Sequence, residues 1–380
     1  MVRGVDMTTW QPAMAPNYFP EMLIYGLISY GTKSIYLGFM GFRLVKAILY
    51  AFLFFNLLSF ITGLSRTYRL WVVLFLSCGM MLAAILVGGT QDFWQLYVPT
   101  AHGGAFVNAL GAIVIMLHWL RKPKKNQWGA LILLVVLSTV ATLSDMIYVV
   151  WFTIPAMVVM GILVVLRRIT KRSLLLFVAC FLIPVLLERM SYLITPYKEV
   201  LGSSLALNEG WKATSDLYLS LLAEGWYHQI VLVSFICLVG LTLYVLFSAW
   251  KKLGPDQVYD AKETGRLFLL SNAALIAPLN FLAMAAINRP APQYLIGGNL
   301  ASLSFLLFVL IMTNWGQRLL ISGSFYITVI IFVIAGFVGF LAYSPPNWDA
   351  LAQKLNPMQQ IYPDLVACLD SHAGDLGNGV

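Results

Sequence analysis

Apolar runs of about 20 residues recur along the chain, and each is long enough to cross roughly 30 Å of hydrocarbon as a helix. They fall near residues 42–64, 70–89, 104–120, 128–146, 148–166, 174–195, 229–250, 267–287, 294–314 and 319–343. Inside a bilayer each backbone N–H and C=O must be satisfied within its own segment, so such runs are helices and not open strands. Composition agrees. Sixty per cent of the 380 residues are apolar and 11% are charged, whereas soluble domains sit near 45–50% and about 25%. A core this large could not be clothed for water by so few charges. The expected fold is an all-α polytopic membrane protein with about ten transmembrane helices.

Basic residues orient it. They cluster in short runs between spans, such as Arg121-Lys122-Pro123-Lys124-Lys125 and Arg167-Arg168-Ile169-Thr170-Lys171-Arg172. The loops at 65–69, 121–127, 167–173, 251–266 and 315–318 hold 15 of the 24 Lys and Arg. By the positive-inside tendency these loops are cytoplasmic, and both termini then lie outside. The net charge of +8 thus reports topology, and no nucleic-acid partner is implied. Only Asp256, Asp260 and Glu263 of the 16 acids fall on the cytoplasmic side. Longer outer loops explain part of that bias, and carboxylate chemistry on the outer face is the alternative explanation. Four dispersed cysteines show neither metal spacing nor a disulfide framework.

This divides the chain into an extracytoplasmic loop with an interfacial helix (1–41), a transmembrane domain (42–343) and the start of an outer domain (344–380). Prolines at 12, 16 and 20 break up the first segment, leaving an interfacial helix from about 21 to 34 with Tyr25 and Tyr30 at headgroup depth. An outside N-terminus with no signal peptide predicts a further hydrophobic helix upstream of Met1. Residues 344–380 read as a domain that Val380 cuts short.

Several polar residues stand where chemistry could use them. Asp6 and Glu21 lie in the first outer segment. Arg43 and Lys46, three apart at the outer end of the first span, share a helix face; they either snorkel to the interface or hold a lipid phosphate. The second outer loop sets Asp92 and His102 among Phe93, Trp94 and Tyr97, a mixture suited to sugar rings and hydroxyls. Asp145 falls where two apolar runs meet, at two short helices with a tight turn or at one broken helix. Glu188 and Arg189 interrupt another run. Charges at membrane depth need a cavity or a partner, and these two, about 100° apart on a helix, are expected to have separate ones. Arg289, in the outer turn Asn288-Arg289-Pro290, is suited to a bidentate grip on phosphate. Walker, nucleophile-elbow, zinc-protease and dinucleotide signatures are absent.

Three local features resemble the GT-C class of membrane glycosyltransferases. These are the proline-broken, carboxylate-bearing stretch from Asp6 to Glu21, the run Tyr97-Val98-Pro99-Thr100-Ala101-His102 leading into a helix, and the late turn from Asn288 to Tyr294. That family starts on the cytoplasmic side with a helix this chain does not show, so its catalytic acid corresponds either to Asp6 or to a residue upstream. The resemblance implies sugar transfer from a polyprenyl-phosphate donor on the extracytoplasmic face of the plasma (bacterial inner) membrane. Asp6 or Glu21 would be the base, and Arg43, Lys46, Arg189 and Arg289 would hold phosphate. Asp92, His102, Asp145 and Glu188 would shape the substrate site. Membrane lipid and the lipid-linked sugar are the partners; no cofactor is certain, and a divalent metal is compatible. The competing expectation is a transporter or flippase whose path is lined by Asp145, Glu188 and Arg189.

Overall fold

The computed structural model describes residues 18–33, 35–61, 65–86, 102–121, 127–194, 207–224, 226–251, 260–288, 290–295, 297–304, 326–331 and 333–334. Nearly all of these residues are helical, with no strand among them. In chain order the helices are α1 (Leu23–Thr32), α2 (Ile35–Ile61), α3 (Arg66–Leu86), α4 (Gly103–Arg121), α5 (Gln127–Ser144), α6 (Ile154–Val165), α7 (Lys171–Ile194), α8 (Leu207–Glu224), α9 (Trp226–Lys251) and α10 (Ala261–Ile287). A π-turn over Val149–Thr153 leads into α6, and a 3₁₀ turn over Pro292–Leu295 follows α10.

Five of these segments are long and apolar enough to cross a membrane: Met40–Phe60, Gly103–Arg121, Lys171–Met190, Trp226–Lys251 and Ala261–Ile287. Trp128–Ser144 and Val149–Val165 are apolar but shorter. The described residues are therefore those of a helical membrane protein. The runs expected at 294–314 and 319–343 lie largely outside the described residues. So do Asp6, Asp92, Arg289 and the segment 344–380.

Helix α4 is the axis of the bundle. Most of its residues are buried on every side, the signature of a helix with neighbours all round. Gly103, Gly104, Ala105, Ala109, Gly111 and Ala112 let other backbones come close, which is how helices associate where apolar surface alone gives no drive. Helices α2, α5 and α10 pack directly on it. Helix α9 by contrast leaves Leu232, Val233, Ile236, Leu243 and Phe247 exposed, as expected of a face that meets lipid. Helix α1 has no buried residue and leans on α2, and Tyr30 is exposed.

Two contacts define the ends of the bundle. At one end Arg168, just beyond α6, meets Glu263 in the first turn of α10 at 2.8 Å. Asp260 caps that helix by accepting the N–H groups of Lys262 and Glu263. At the other end the beginning of α4, the end of α5 and the turn after α10 come together. There Tyr294 packs against His102 with ring centroids 5.2 Å apart. Helix α8 lies over this second end, with Trp211 and Tyr218 both on Phe281.

Asp145 resolves the ambiguity between α5 and α6. The chain makes a tight turn at Asp145-Met146, and the Asp145 carboxylate accepts the Ile147 N–H at 3.1 Å. Two short helices joined by a turn are the outcome. The cationic pair on α2 corrects a different expectation: Lys46 is wholly buried and Arg43 almost so. Neither snorkels: Glu21 folds back onto Lys46, and Arg43 is buried one turn away.

Candidate functional site

Glu21 and Lys46 form the centre of the second end. Phe19 is pinned by three hydrogen bonds from two residues. The Phe19 N–H donates to Ser144 Oγ at 2.8 Å, and the same hydroxyl donates back to the Phe19 carbonyl at 3.1 Å. Asn108 Nδ2, on α4, donates to that carbonyl too, at 3.3 Å. The Phe19–Pro20 peptide is cis. This anchoring carries the Glu21 carboxylate onto the N-terminus of α4, where it accepts the Gly104 N–H and meets the positive end of the helix dipole.

Lys46 reaches it from α2. Its Nζ donates to Glu21 Oε1 at 2.5 Å, and both side chains are wholly buried. The rings of Phe42 and Tyr50 flank the ammonium, with centroids 5.3 and 6.0 Å away. Tyr50 in turn donates to the Gly103 carbonyl at 3.3 Å, tying α2 to the start of α4. The other carboxylate oxygen, Glu21 Oε2, is buried and has no hydrogen-bond partner among the described residues. Burial raises the Glu21 carboxyl to about 7, while the Lys46 charge pulls it down and the Asp145 charge pushes it up again.

A second acid–base pair adjoins the first. His102 Nδ1 lies 2.6 Å from Asp145 Oδ2, with both side chains buried. Burial disfavours the imidazolium, but the hydrogen bond to Asp145 and its charge, helped by Glu21, outweigh this and raise the His102 pKa. The two pairs share one electrostatic neighbourhood, because Glu21 feels Asp145 and His102 feels Glu21. Aromatic rings wall it. Trp151 stands edge-on to His102 at 6.3 Å, held by its own donation from Nε1 to Asn280 Oδ1 at 2.8 Å.

Four residues singled out in the sequence thus meet here: Glu21, Lys46, His102 and Asp145. Arg43 lies one turn from Lys46 on the same helix. Glu188 and Arg189 are placed otherwise. They sit side by side on α7 and pair with each other, Arg189 Nε to Glu188 Oε2 at 3.6 Å. The structure also adds Ser144, Asn108, Tyr50, Trp151 and Asn280, whose only signal in the sequence is a polar or amphipathic residue within an apolar run.

Among the described residues no three His, Cys, Asp or Glu side chains gather as a metal site. The arrangement can hold a proton on either of two carboxylate-based pairs, and it can present positive charge from Lys46 and His102. No family model, curated protein or solved structure matches this chain.

Proposed function

We propose that the protein is a membrane glycosyltransferase moving a sugar from a polyprenyl-phosphate donor to an acceptor hydroxyl on the extracytoplasmic face. The observation that carries this reading is Glu21. It is a carboxylate wholly out of water, gripped through Oε1 by Lys46, with Oε2 unengaged by any described residue. An oxygen so placed can take the proton of an acceptor hydroxyl, and a pKa of about 7 suits a general base at neutral pH.

The acceptor oxygen then forms its bond to the anomeric carbon while the bond from that carbon to the donor phosphate breaks. The electron pair departs with the phosphate, whose growing charge needs fixed cations in a dry site. Lys46 and the imidazolium of His102 supply them, with Arg43 one turn along. Asp145 keeps His102 charged and oriented. Tyr294, packed on His102, supports the imidazole from the other side.

The test uses the purified full chain in nanodiscs with a polyprenyl-phosphate sugar. Glu21→Gln should lower transfer by about 10²–10⁴-fold, the usual worth of a general base. The wild-type rate should rise with pH through about 7 as Glu21 loses its proton, then fall as His102 loses its own. Equal transfer by wild type and Glu21→Gln refutes the assignment of the base. No transfer from any lipid-linked donor refutes the enzyme and favours a transporter.

A further inference from the structure

Beneath the two charged pairs the bundle holds a partly open cavity of about 130 Å³. Phe54 and Leu57 of α2, Phe106 and Ala109 of α4, Trp151, and Asn272 of α10 line it. Its position relative to the charges follows from helix geometry. Phe106 and Ala109 lie about one and two turns along α4 from His102. Phe54 and Leu57 lie two to three turns along α2 from Lys46. Trp151 belongs to both places, edge-on to His102 above and facing the cavity below. Charge at one end and hydrocarbon beneath it are the two halves of an amphiphile.

Two polar side chains, Asn272 and Ser304, interrupt the apolar lining. Asn272 is completely buried, and neither its Oδ1 nor its Nδ2 has a hydrogen-bond partner among the described residues. A buried amide with both halves unmet is costly, the more so at membrane depth, where no bulk water can meet it. Asn280, eight residues further along the same helix, bonds Trp151. Asn272 has nothing equivalent. Ser304 is the other polar side chain on the wall, and a water needs two to four partners to be held there. Plain hydrocarbon would fill the space and leave the amide unmet.

We propose that this cavity receives the chain of an amphiphilic lipid, and that Asn272 hydrogen-bonds an oxygen carried partway along that chain. The ligand is therefore an acyl-type lipid with a hydroxyl or ester oxygen, its charged or polar head seated at Lys46 and His102. A cavity near the size of one that holds benzene takes only a short stretch of chain, so the position of the oxygen is selected as well as its presence. The inference rests on the proposed function only in taking the charged pairs as the seat of a head group; it requires no transfer chemistry.

Binding to the purified full chain in detergent, with no sugar donor present, tests it. Stearate is compared with hydroxystearates carrying the hydroxyl at successive positions, and farnesyl phosphate serves as a chain without oxygen. At least one mid-chain hydroxystearate should bind about tenfold more tightly than stearate. Asn272→Leu, of similar volume, should abolish that preference without weakening stearate and without lowering Tm, since it removes an unmet amide. Ala109→Phe, which fills the space, should weaken every probe. Equal binding of stearate and all its hydroxy forms overturns the proposal, as does a preference that survives Asn272→Leu. If these results appear while no donor supports transfer, the cavity assignment stands and the enzyme reading falls. If transfer is intact and the preference is missing, the reverse holds.

Discussion

At Gly104 a single hydrogen atom stands where any other residue would put carbon. A Cβ built there would lie 2.7 Å from Glu21 Cγ and 3.0 Å from its Cδ, with Pro20 Cδ at 3.2 Å. Neither neighbour can retreat, because Glu21 is tied to Lys46 and Phe19 to Ser144. Gly104→Ala is therefore expected to push the carboxylate off the helix end, at an overpacking cost of about 1–3 kcal/mol. Thermal unfolding and the transfer assay would both register it. Gly111→Ala is the control: its Cβ would meet only Leu137 Cδ2, at 3.4 Å, and should leave both readouts near wild type. An equal effect of the two substitutions would show that Gly104 is merely a helix-packing glycine. At this scale the sequence was informative about identities and silent about partners. Glu21, Lys46, His102 and Asp145 each stood out as charges near apolar runs. Nothing in spacing could join Glu21 to Lys46 or His102 to Asp145, since the members of each pair lie on separate elements and only packing brings them together.

Helix starts show a different gap between pattern and structure. Hydropathy placed the beginnings of three spans at 70, 174 and 267, whereas α3, α7 and α10 begin at Arg66, Lys171 and Ala261. In each case the first turn is polar and a capping side chain precedes it. Ser65 Oγ accepts the Tyr68 N–H at 3.4 Å, Thr170 Oγ1 accepts the Ser173 N–H at 3.2 Å, and Asp260 Oδ1 accepts the Lys262 N–H at 2.8 Å. A window that averages hydrophobicity discards such turns, although the capping residues were legible. The cap on α10 also holds Glu263 in place for Arg168. Asp260→Ala should accordingly lower stability by about 1 kcal/mol, whereas Asp260→Asn, an equally good cap, should retain it. Unfolding of the two variants in the same detergent compares them directly; equal loss in both would assign the effect to charge instead of capping.

Across the whole bundle, the pattern of basic loops and the three-dimensional arrangement meet at one point. The loops around 167–173 and 251–266, both assigned to the cytoplasm by charge, are bridged by Arg168 and Glu263. The candidate site lies at the far end of α10. If the positive-inside assignment holds, an impermeant thiol reagent applied to intact cells should label a cysteine at Lys212, exposed on α8, in a cysteine-free background. One at Lys171, exposed at the start of α7, should react only after permeabilisation. The opposite result inverts the protein and moves the site to the cytoplasmic face. Membrane class and the positions of the five span-length helices were readable from composition and run length, because lipid imposes them on each such segment alike. The burial of Lys46 was not, because it depends on a segment that folds back from outside the span. That fold-back bears on biosynthesis. Phe19 is held by Ser144, 125 residues later in the chain, so the amino-terminal segment leaves the ribosome long before its anchor exists. Glu21 can meet Lys46 within the first helical hairpin, but its backbone mooring must wait until α5 has been inserted. Assembly of this end of the protein is therefore a late event, completed by a residue made more than a hundred codons after the carboxylate it positions.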